Sequence, residues 1–504
     1  MGRRIRWLGI IMLICFALVL VQLMNIQFRK ANALANSPYN PQIAAKKFDN
    51  LRGTITLGDG TVLARSVRIS SSSGQYNYKR EYPQGSLYAG ITGYDGTFYG
   101  TSGLEYEYNQ YLQVHPQPPQ TFSQLLFNKP PSVPDNVTIT IDPVLQKAAY
   151  NALTTLPPGQ DKDGAVVVLN PSTGAVLAMV SNPTFDPNQV SDPSVAKQEA
   201  SYFVYKIKDH EGFRPIQPIA TEERFFPGST FKVVTSTAVY NLKPSLINYS
   251  FPPALSISFP DSNKTLSNDS GACGGSMVEM LPASCDPGYG ELGIQIGVPT
   301  LTKQAQLFGY TIFGAPTQYV PNIDLPAVIP STFSNLSPNS QADLAYSAIG
   351  QFNDSATALG NALVAAGIAN GGTIMTPHVM SRITDHQGGT IKTYTPIPML
   401  RAASTSAATS VTSLMQSVAQ YGTAAGVFPS SWDVAVKTGT AQVQAPSVAE
   451  QTDDWMIGFM PAKSPQIAIA VVVPYQQKDD TGAIVAGPIV RAVFQAWLNE
   501  SAGQ

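Results

Sequence analysis

The chain is poor in charge. Asp, Glu, Lys and Arg supply 13% of its 504 residues, about half the ~25% of an ordinary soluble domain. The two signs almost cancel, 31 Lys plus Arg against 33 Asp plus Glu, leaving −2. A nucleic-acid binder needs a clustered basic face, and none is visible. Histidine is scarcer still. The four (His115, His210, His378 and His386) include no pair at i, i+4, which argues against a His-based zinc site. There are three cysteines. Cys15 lies in an apolar N-terminal run, and Cys273 and Cys285 stand twelve apart in a Gly/Ser-rich stretch. Outside the cytoplasm these two can form a disulfide; otherwise they are free thiols, and the sequence leaves both open. Internal repeats are also missing. Ser, Thr, Gly, Pro, Asn and Gln fill the place of charge, a composition that suits an exported protein. With 43% apolar residues the chain can build a sizeable core, and its length suits two or three domains.

Trp7 to Phe28 carries no formal charge over 22 residues, about 33 Å as a helix against a bilayer core of about 30 Å. Arg3, Arg4 and Arg6 precede it, so the N-terminus is expected in the cytoplasm and the rest of the chain outside. A cleaved signal peptide is the rival, with Ala33-Leu34-Ala35 as the cleavage site. The apolar run is longer than a signal peptide needs, which favours an uncleaved single-pass anchor at the cell membrane. The expected division is residues 1–36 as stub and anchor, 37–155 as an N-terminal module, and 156–500 as the main domain.

Short β-like runs (Gly53 to Leu57, Thr61 to Ala64) mark the module, and Pro116 to Pro134 reads as a connection. Val137 to Ile141 alternates as a strand does. Asp142-Pro143 is a helix start, with Asp as N-cap and Pro in the first turn. Gly164–Leu169 and Ala175–Val180 flank Asn-Pro-Ser-Thr-Gly and read as a hairpin. Ala-rich stretches at 359–368 and 407–420 read as helices; 434–436 and 467–473 read as buried strands. Strands of antiparallel look mixed with helices predict an α/β or α+β domain.

Two motifs carry chemistry. In Pro227-Gly228-Ser229-Thr230-Phe231-Lys232, Ser229 falls in the first turn of a helix and Lys232, at i+3, shares its face. A neutral amine so placed can take the hydroxyl proton, and burial or a second cation lowers its pKa to allow that. Ser194-Val195-Ala196-Lys197 has the same spacing, so spacing alone does not choose. Lys437-Thr438-Gly439-Thr440 follows an apparent strand. A Lys and a hydroxyl at a strand edge can hold a carboxylate, and Gly439 lets another backbone approach.

Together these motifs resemble the penicillin-binding protein and serine β-lactamase superfamily. Phe226 to Lys232, Lys437 to Gln442, Asp454-Trp455-Met456-Ile457-Gly458-Phe459 and Gly350-Gln351 resemble class B penicillin-binding proteins. Arg52-Gly53-x-Ile55 and Gly103-Leu104-Glu105-x-x-Tyr108 resemble that family's non-catalytic module, in its compact actinobacterial, division-associated form. The likeness runs from about residue 37 to 495.

The resemblance implies a transpeptidase domain with an antiparallel sheet flanked by helices, a small β-rich N-terminal module and one transmembrane helix. It implies a peptidoglycan D,D-transpeptidase acting at division or elongation, with no metal or cofactor. Ser229 would be the nucleophile and Lys232 its base. Ser284 would relay a proton under the influence of Lys437. Thr438, Gly439, Thr440 and Asp286 would bind substrate, and the N–H groups of Ser229 and Thr440 would form the oxyanion hole. Stem peptides, β-lactams, the membrane and divisome or elongasome proteins are the implied partners. Other readings are a catalytically weak scaffold or β-lactam sensor, and a D,D-carboxypeptidase or β-lactamase.

The sequence departs from the family at its Ser-x-Asn motif. Ser284-Cys285-Asp286 lies fifty-five residues after Ser229, with Asp in the third place. An amide donates and accepts, whereas an ionised carboxylate only accepts. Asp286 is expected to pair with Lys232 and hold it more strongly charged, or else an amide contact to substrate is lost. Ser267-Asn268-Asp269 and Ser337-Pro338-Asn339 are the competing placements.

Overall fold

A computed structural model of the chain describes residues 2–24, 50–69, 77–96, 99–116, 132–156, 162–192, 213–316, 320–443 and 451–503. The second Ser-x-x-Lys at 194–197 and the alternative cleavage site at 33–35 lie outside the described residues, as does most of the Pro-rich connection. In chain order the main elements are α1 (Gly2–Met24), β1 (Ile55–Thr56), β2 (Val62–Arg68), β3 (Tyr78–Glu81), β4 (Asn136–Ile139), α2 (Pro143–Thr155), β5 (Gly164–Leu169) and β6 (Val176–Asn182). Then come α3 (Lys232–Leu242), α4 (Asp286–Ile296), α5 (Ala358–Ala369), β7 (Met380–Thr384), β8 (Thr390–Thr393), α6 (Thr405–Gln420), β9 (Ala435–Val443), β10 (Gln451–Met460), β11 (Ile467–Gln477) and α7 (Gly482–Gly503).

α1 presents Trp7, Leu13, Phe16 and Met24 to solvent. No helix of the described residues is long and apolar enough to cross a membrane. The expected span is described, as helix, from Trp7 to Met24, and Asn25 to Phe28 lie outside the described residues, so the transmembrane helix read from the sequence is not shown.

The main sheet runs β6-β5-β11-β10-β9, and every neighbouring pair is antiparallel. β5 is buried at every position, and β11 from Ile467 to Pro474. Successive strand residues face opposite sides, so both faces are covered, and the unbroken apolar runs follow from that. α5, α2 and α7 pack on this sheet. α5 is buried from Ala358 to Ile368, and its Ala and Gly residues let it lie close. Asp142 caps α2 by accepting from the N–H groups of Val144 and Leu145 at 2.8 and 2.9 Å. β9 lies at one edge of the sheet, and an edge strand can pair with an extended peptide.

A second sheet runs β8-β7-β4-β1-β2-β3. It joins strands from the N-terminal region to residues 380–393, far along the chain. Beside it lies an ion cluster that sequence reading did not find, because its members are scattered. Arg52 Nε and Arg80 Nε each donate to Glu105 at 2.6 Å. Tyr82 OH donates to Glu105 at 3.2 Å and accepts from Asp95 N–H at 2.7 Å. Burial pushes the Glu105 carboxyl up, but Arg80 and Arg52 outweigh it and hold the group below its ordinary value. The two N-terminal family motifs thus meet face to face through Arg52 and Glu105.

Candidate active site

The nucleophile turn is built on close backbone approach. Ser229 lies in a 3-10 turn, Gly228–Phe231, that leads into α3, a slightly different start from the α-helical turn read from the sequence. Gly228 N–H donates to Gly350 O at 2.9 Å. Both glycines have positive φ, 51° and 77°, which L side chains resist. A Cβ on Gly350 would stand 2.2 Å from Gly228 O. That contact explains the Gly350-Gln351 element. Gly439 serves the same packing: a Cβ there would meet Pro227 O and Thr230 Cγ2 at 3.0 Å. Its smallness seats the nucleophile turn against β9.

Lys232 is the first residue of α3 and is fully buried. Its Nζ donates to Ser284 O at 2.7 Å, Ser284 Oγ at 3.2 Å and Asp286 Oδ1 at 2.5 Å. An ammonium has three protons, and these bonds commit all three. The expected pairing with Asp286 is therefore present. The Asp286 side chain is 26% exposed against 0% for Lys232, so one partner faces the cleft and the other the core. From β9, Lys437 Nζ reaches Ser284 Oγ at 3.0 Å and Thr438 O at 2.9 Å. Ser284 Oγ thus lies between two amines. Burial lowers the pKa of Lys232, with Asp286 opposing. Burial, reinforced by the nearby Lys232 charge, pushes Lys437 well below its ordinary value, again with Asp286 opposing. Both shifts favour a neutral amine, the form that can take a proton.

Ser284 has φ 54°, a left-handed conformation costing a non-glycine residue about 1–3 kcal/mol. A disulfide joins its neighbour Cys285 to Cys273, deciding what the sequence left open. Asn268, from one of the competing placements, accepts the Asp286 N–H at 3.1 Å. The Tyr289 ring lies 5.5 Å from Lys232 Nζ. Tyr289 was not singled out in the sequence, since it acts only through tertiary contact, and Asn268 supports the Ser284 motif rather than replacing it.

A cleft of about 540 Å³ opens on this arrangement, lined by Ser229, Asp286, Tyr346, Gln351, Thr440 and Gln442 among others. Lys437 and Thr438 are buried behind it, and Thr438 Oγ1 lies 2.6 Å from Thr423 Oγ1. The structure therefore brings Ser229, Lys232, Ser284, Asp286, Lys437 and Thr440 together. It describes no cluster of three or more His, Cys, Asp or Glu side chains able to hold a metal among the described residues. A serine backed by two dry amines and a shared hydroxyl can carry out acyl transfer through a covalent intermediate.

Residues 164–495 match the penicillin-binding protein transpeptidase domain, and residues 52–128 match the penicillin-binding protein A dimerisation domain. The peptidoglycan D,D-transpeptidase PbpA of Mycolicibacterium smegmatis is 34% identical, over 99% of this chain and 100% of its own. Its namesake from Mycobacterium tuberculosis is 31% identical, over 99% of each chain. The ceftriaxone acyl-enzyme of penicillin-binding protein A from M. tuberculosis superposes with a TM-score of 0.77 at 31% identity, covering 90% of this chain and 99% of that one. The penicillin G acyl-enzyme of the same protein gives 0.75 at 31% identity, covering 89% and 100%. By matched length, identity and structure, the chain belongs to the class B penicillin-binding protein transpeptidases.

Proposed function

We propose that this chain is a peptidoglycan D,D-transpeptidase that cross-links stem peptides through an acyl-enzyme on Ser229 and is acylated there by β-lactams. The carrying observation is the Lys232–Ser284–Lys437 chain of hydrogen bonds beside a cleft-lining serine. Ser229 attacks the carbonyl between the two terminal D-Ala residues. Lys232, in its neutral form, takes the serine proton. Ser284 passes a proton to the leaving amine and is resupplied with the proton that Lys232 took from Ser229, while Lys437 holds the Ser284 hydroxyl in place. The N–H groups of Ser229 and Thr440 receive the oxyanion, each donor contributing about 3–4 kcal/mol as in other hydrolases. Lys437 and Thr438 draw the terminal carboxylate to one end of β9, with Gly439 and Asp286 shaping the wall. An acceptor amine from a second stem peptide then displaces Ser229, and its fixed position favours transfer over hydrolysis.

Residues 1–36 form the stub and single-pass anchor, 37–155 the N-terminal module and 156–500 the transpeptidase domain. The apolar run, its preceding arginines and the disulfide support an extracytoplasmic catalytic domain on the cell membrane. Divisome or elongasome proteins are the partners in view for the module.

A fluorescent penicillin labels the wild-type chain covalently and leaves Ser229→Ala unlabelled. Equal labelling of that variant would overturn the assignment. The committed protons of Lys232 favour a second reading, a weakly catalytic penicillin-binding scaffold. Release of D-Ala with cross-link formation on a pentapeptide donor separates the two, since a scaffold labels without turnover.

A further inference from the structure

We infer that Asp453 is a positioning residue for acylation, holding the backbone of Phe226 so that Ser229 stays in register with β9; this rests on Ser229 being the nucleophile. Asp453 and Trp455 are two apart on β10 and so share a face. Both grip the same residue of the nucleophile loop. Phe226 N–H donates to Asp453 Oδ2 at 3.2 Å, and Trp455 Nε1 donates to Phe226 O at 2.9 Å. The Phe226 backbone is thereby fixed at both its polar atoms, three residues before Ser229.

The flanking backbone is fixed as well. Phe225 N–H donates to Ala356 O at 3.0 Å, Ala356 N–H donates back to Phe225 O at 2.8 Å, and Gly228 N–H donates to Gly350 O. Among these holds on residues 225–228, Asp453 contributes the one ionisable side chain. Its second oxygen accepts the Tyr475 N–H at 3.4 Å. Tyr475 has φ 55° and sits where β11 carries extra residues against β10, between the Thr452 and Asp454 pairs. One carboxyl therefore ties the nucleophile loop to a strained bend at the end of β11.

The surroundings keep water away from these bonds. Phe225 packs edge-on against Trp455 and Tyr475, and Phe213 stacks on Tyr475. Asp453 itself is 2% exposed. Burial pushes its carboxyl up to about 7, against the pull of the two backbone N–H groups. A neutral side chain with an acceptor oxygen is thus tolerable at this position. Asn supplies one good acceptor for two donors, and Ala supplies none.

A shift of about 1 Å in a reacting group costs up to about a hundredfold in rate. The test is stopped-flow acylation of the full chain by a fluorescent penicillin, resolving the limiting rate constant from the half-saturating concentration. Asp453→Ala should lower the limiting rate constant at least about tenfold and Asp453→Asn about threefold, each with the half-saturating concentration within about twofold of wild type. A limiting rate constant unchanged in both variants overturns the inference. So does a loss confined to the half-saturating concentration. If Asp453→Ala gives no cooperative melt, Asp453→Asn alone decides by the same criteria. Ser229→Ala run alongside separates the two failures: continued labelling there sinks the nucleophile assignment, whereas its loss with wild-type rates at position 453 sinks only the positioning role.

Discussion

Replacing Asp286 by Asn should make acylation faster below neutral pH. Asp286 meets a fully buried Lys232 at 2.5 Å, and among the forces on that amine it opposes the dominant effect of burial. A hydrogen bond to a charged group contributes about 1.5–3 kcal/mol. Asn keeps an acceptor oxygen but loses the charge, so the ammonium form of Lys232 loses stabilisation of about that size. Every 1.4 kcal/mol is about tenfold in an equilibrium, so the neutral fraction rises about 10–100-fold at pH values where it is small. Burial already lowers the Lys232 pKa and removal of Asp286 lowers it further, so the limb on which acylation rises with pH moves toward acid. Lys437 is held up by the same carboxylate and shifts in the same sense, so the limb belongs to the pair. The assay is the second-order acylation rate constant of wild type and Asp286→Asn with a fluorescent penicillin from about pH 5.5 to 9.5. A limb that stays in place, or moves toward alkali, would refute the reasoning that Asp286 restrains the base.

Two further predictions concern stability. Glu105→Gln leaves Arg52 and Arg80 buried without their shared carboxylate, which should cost about 3–5 kcal/mol; denaturant melts measure it, and a loss below about 1 kcal/mol would show the cluster to be dispensable. Because Glu105 is held below its ordinary value, its contribution is present above pH about 4.5 and is lost as pH falls through the folded value. Asp454 behaves in the opposite sense. Among the described residues neither of its buried carboxyl oxygens has a well-formed hydrogen bond, and burial, aided by Asp480 and opposed by Thr452 and Lys162, pushes it up to about 8. Its stabilising protonated form is fully populated below its unfolded value and lost as pH rises through about 8. Asp454→Asn should therefore raise stability by at least about 2 kcal/mol more at pH 9 than at pH 5; equal shifts at both pH values would contradict a buried titrating group.

Much of the fold was legible because the relevant signals are local. The Asn170 to Gly174 turn between two apolar runs marks the β5–β6 hairpin, and Asp142-Pro143 marks the start of α2. Burial on both faces leaves β11 as an unbroken apolar run, readable without knowing its neighbours. The nucleophile turn was legible for a different reason. Gly228, Gly350 and Gly439 stand where no side chain fits, so the need for close approach is written into residue identity. What was not legible depends on contacts between distant segments. Arg52 and Glu105 stood in two separate family motifs, Arg80 and Asp95 in none, and only the fold turns the four into a buried network. Asp453 stands just before the Asp454 to Phe459 signature, and nothing local shows that Phe226 lies against it.

The sequence by itself determined the candidate residue types and their order: a serine and a lysine one helical turn apart, a Ser-x-Asp where the family has Ser-x-Asn, and a lysine ahead of Thr-Gly after an apparent strand. It also singled out Ser229 over Ser194, through the flanking residues that mark the family. Tertiary structure alone decided how these groups act on one another. It placed Ser284 Oγ between two amines, removed water from both, and left Asp286 at the wall of the cleft. It joined Cys273 to Cys285. The physical reason is that a proton's location depends on burial and on charges within a few ångströms, and neither quantity exists until the chain has folded.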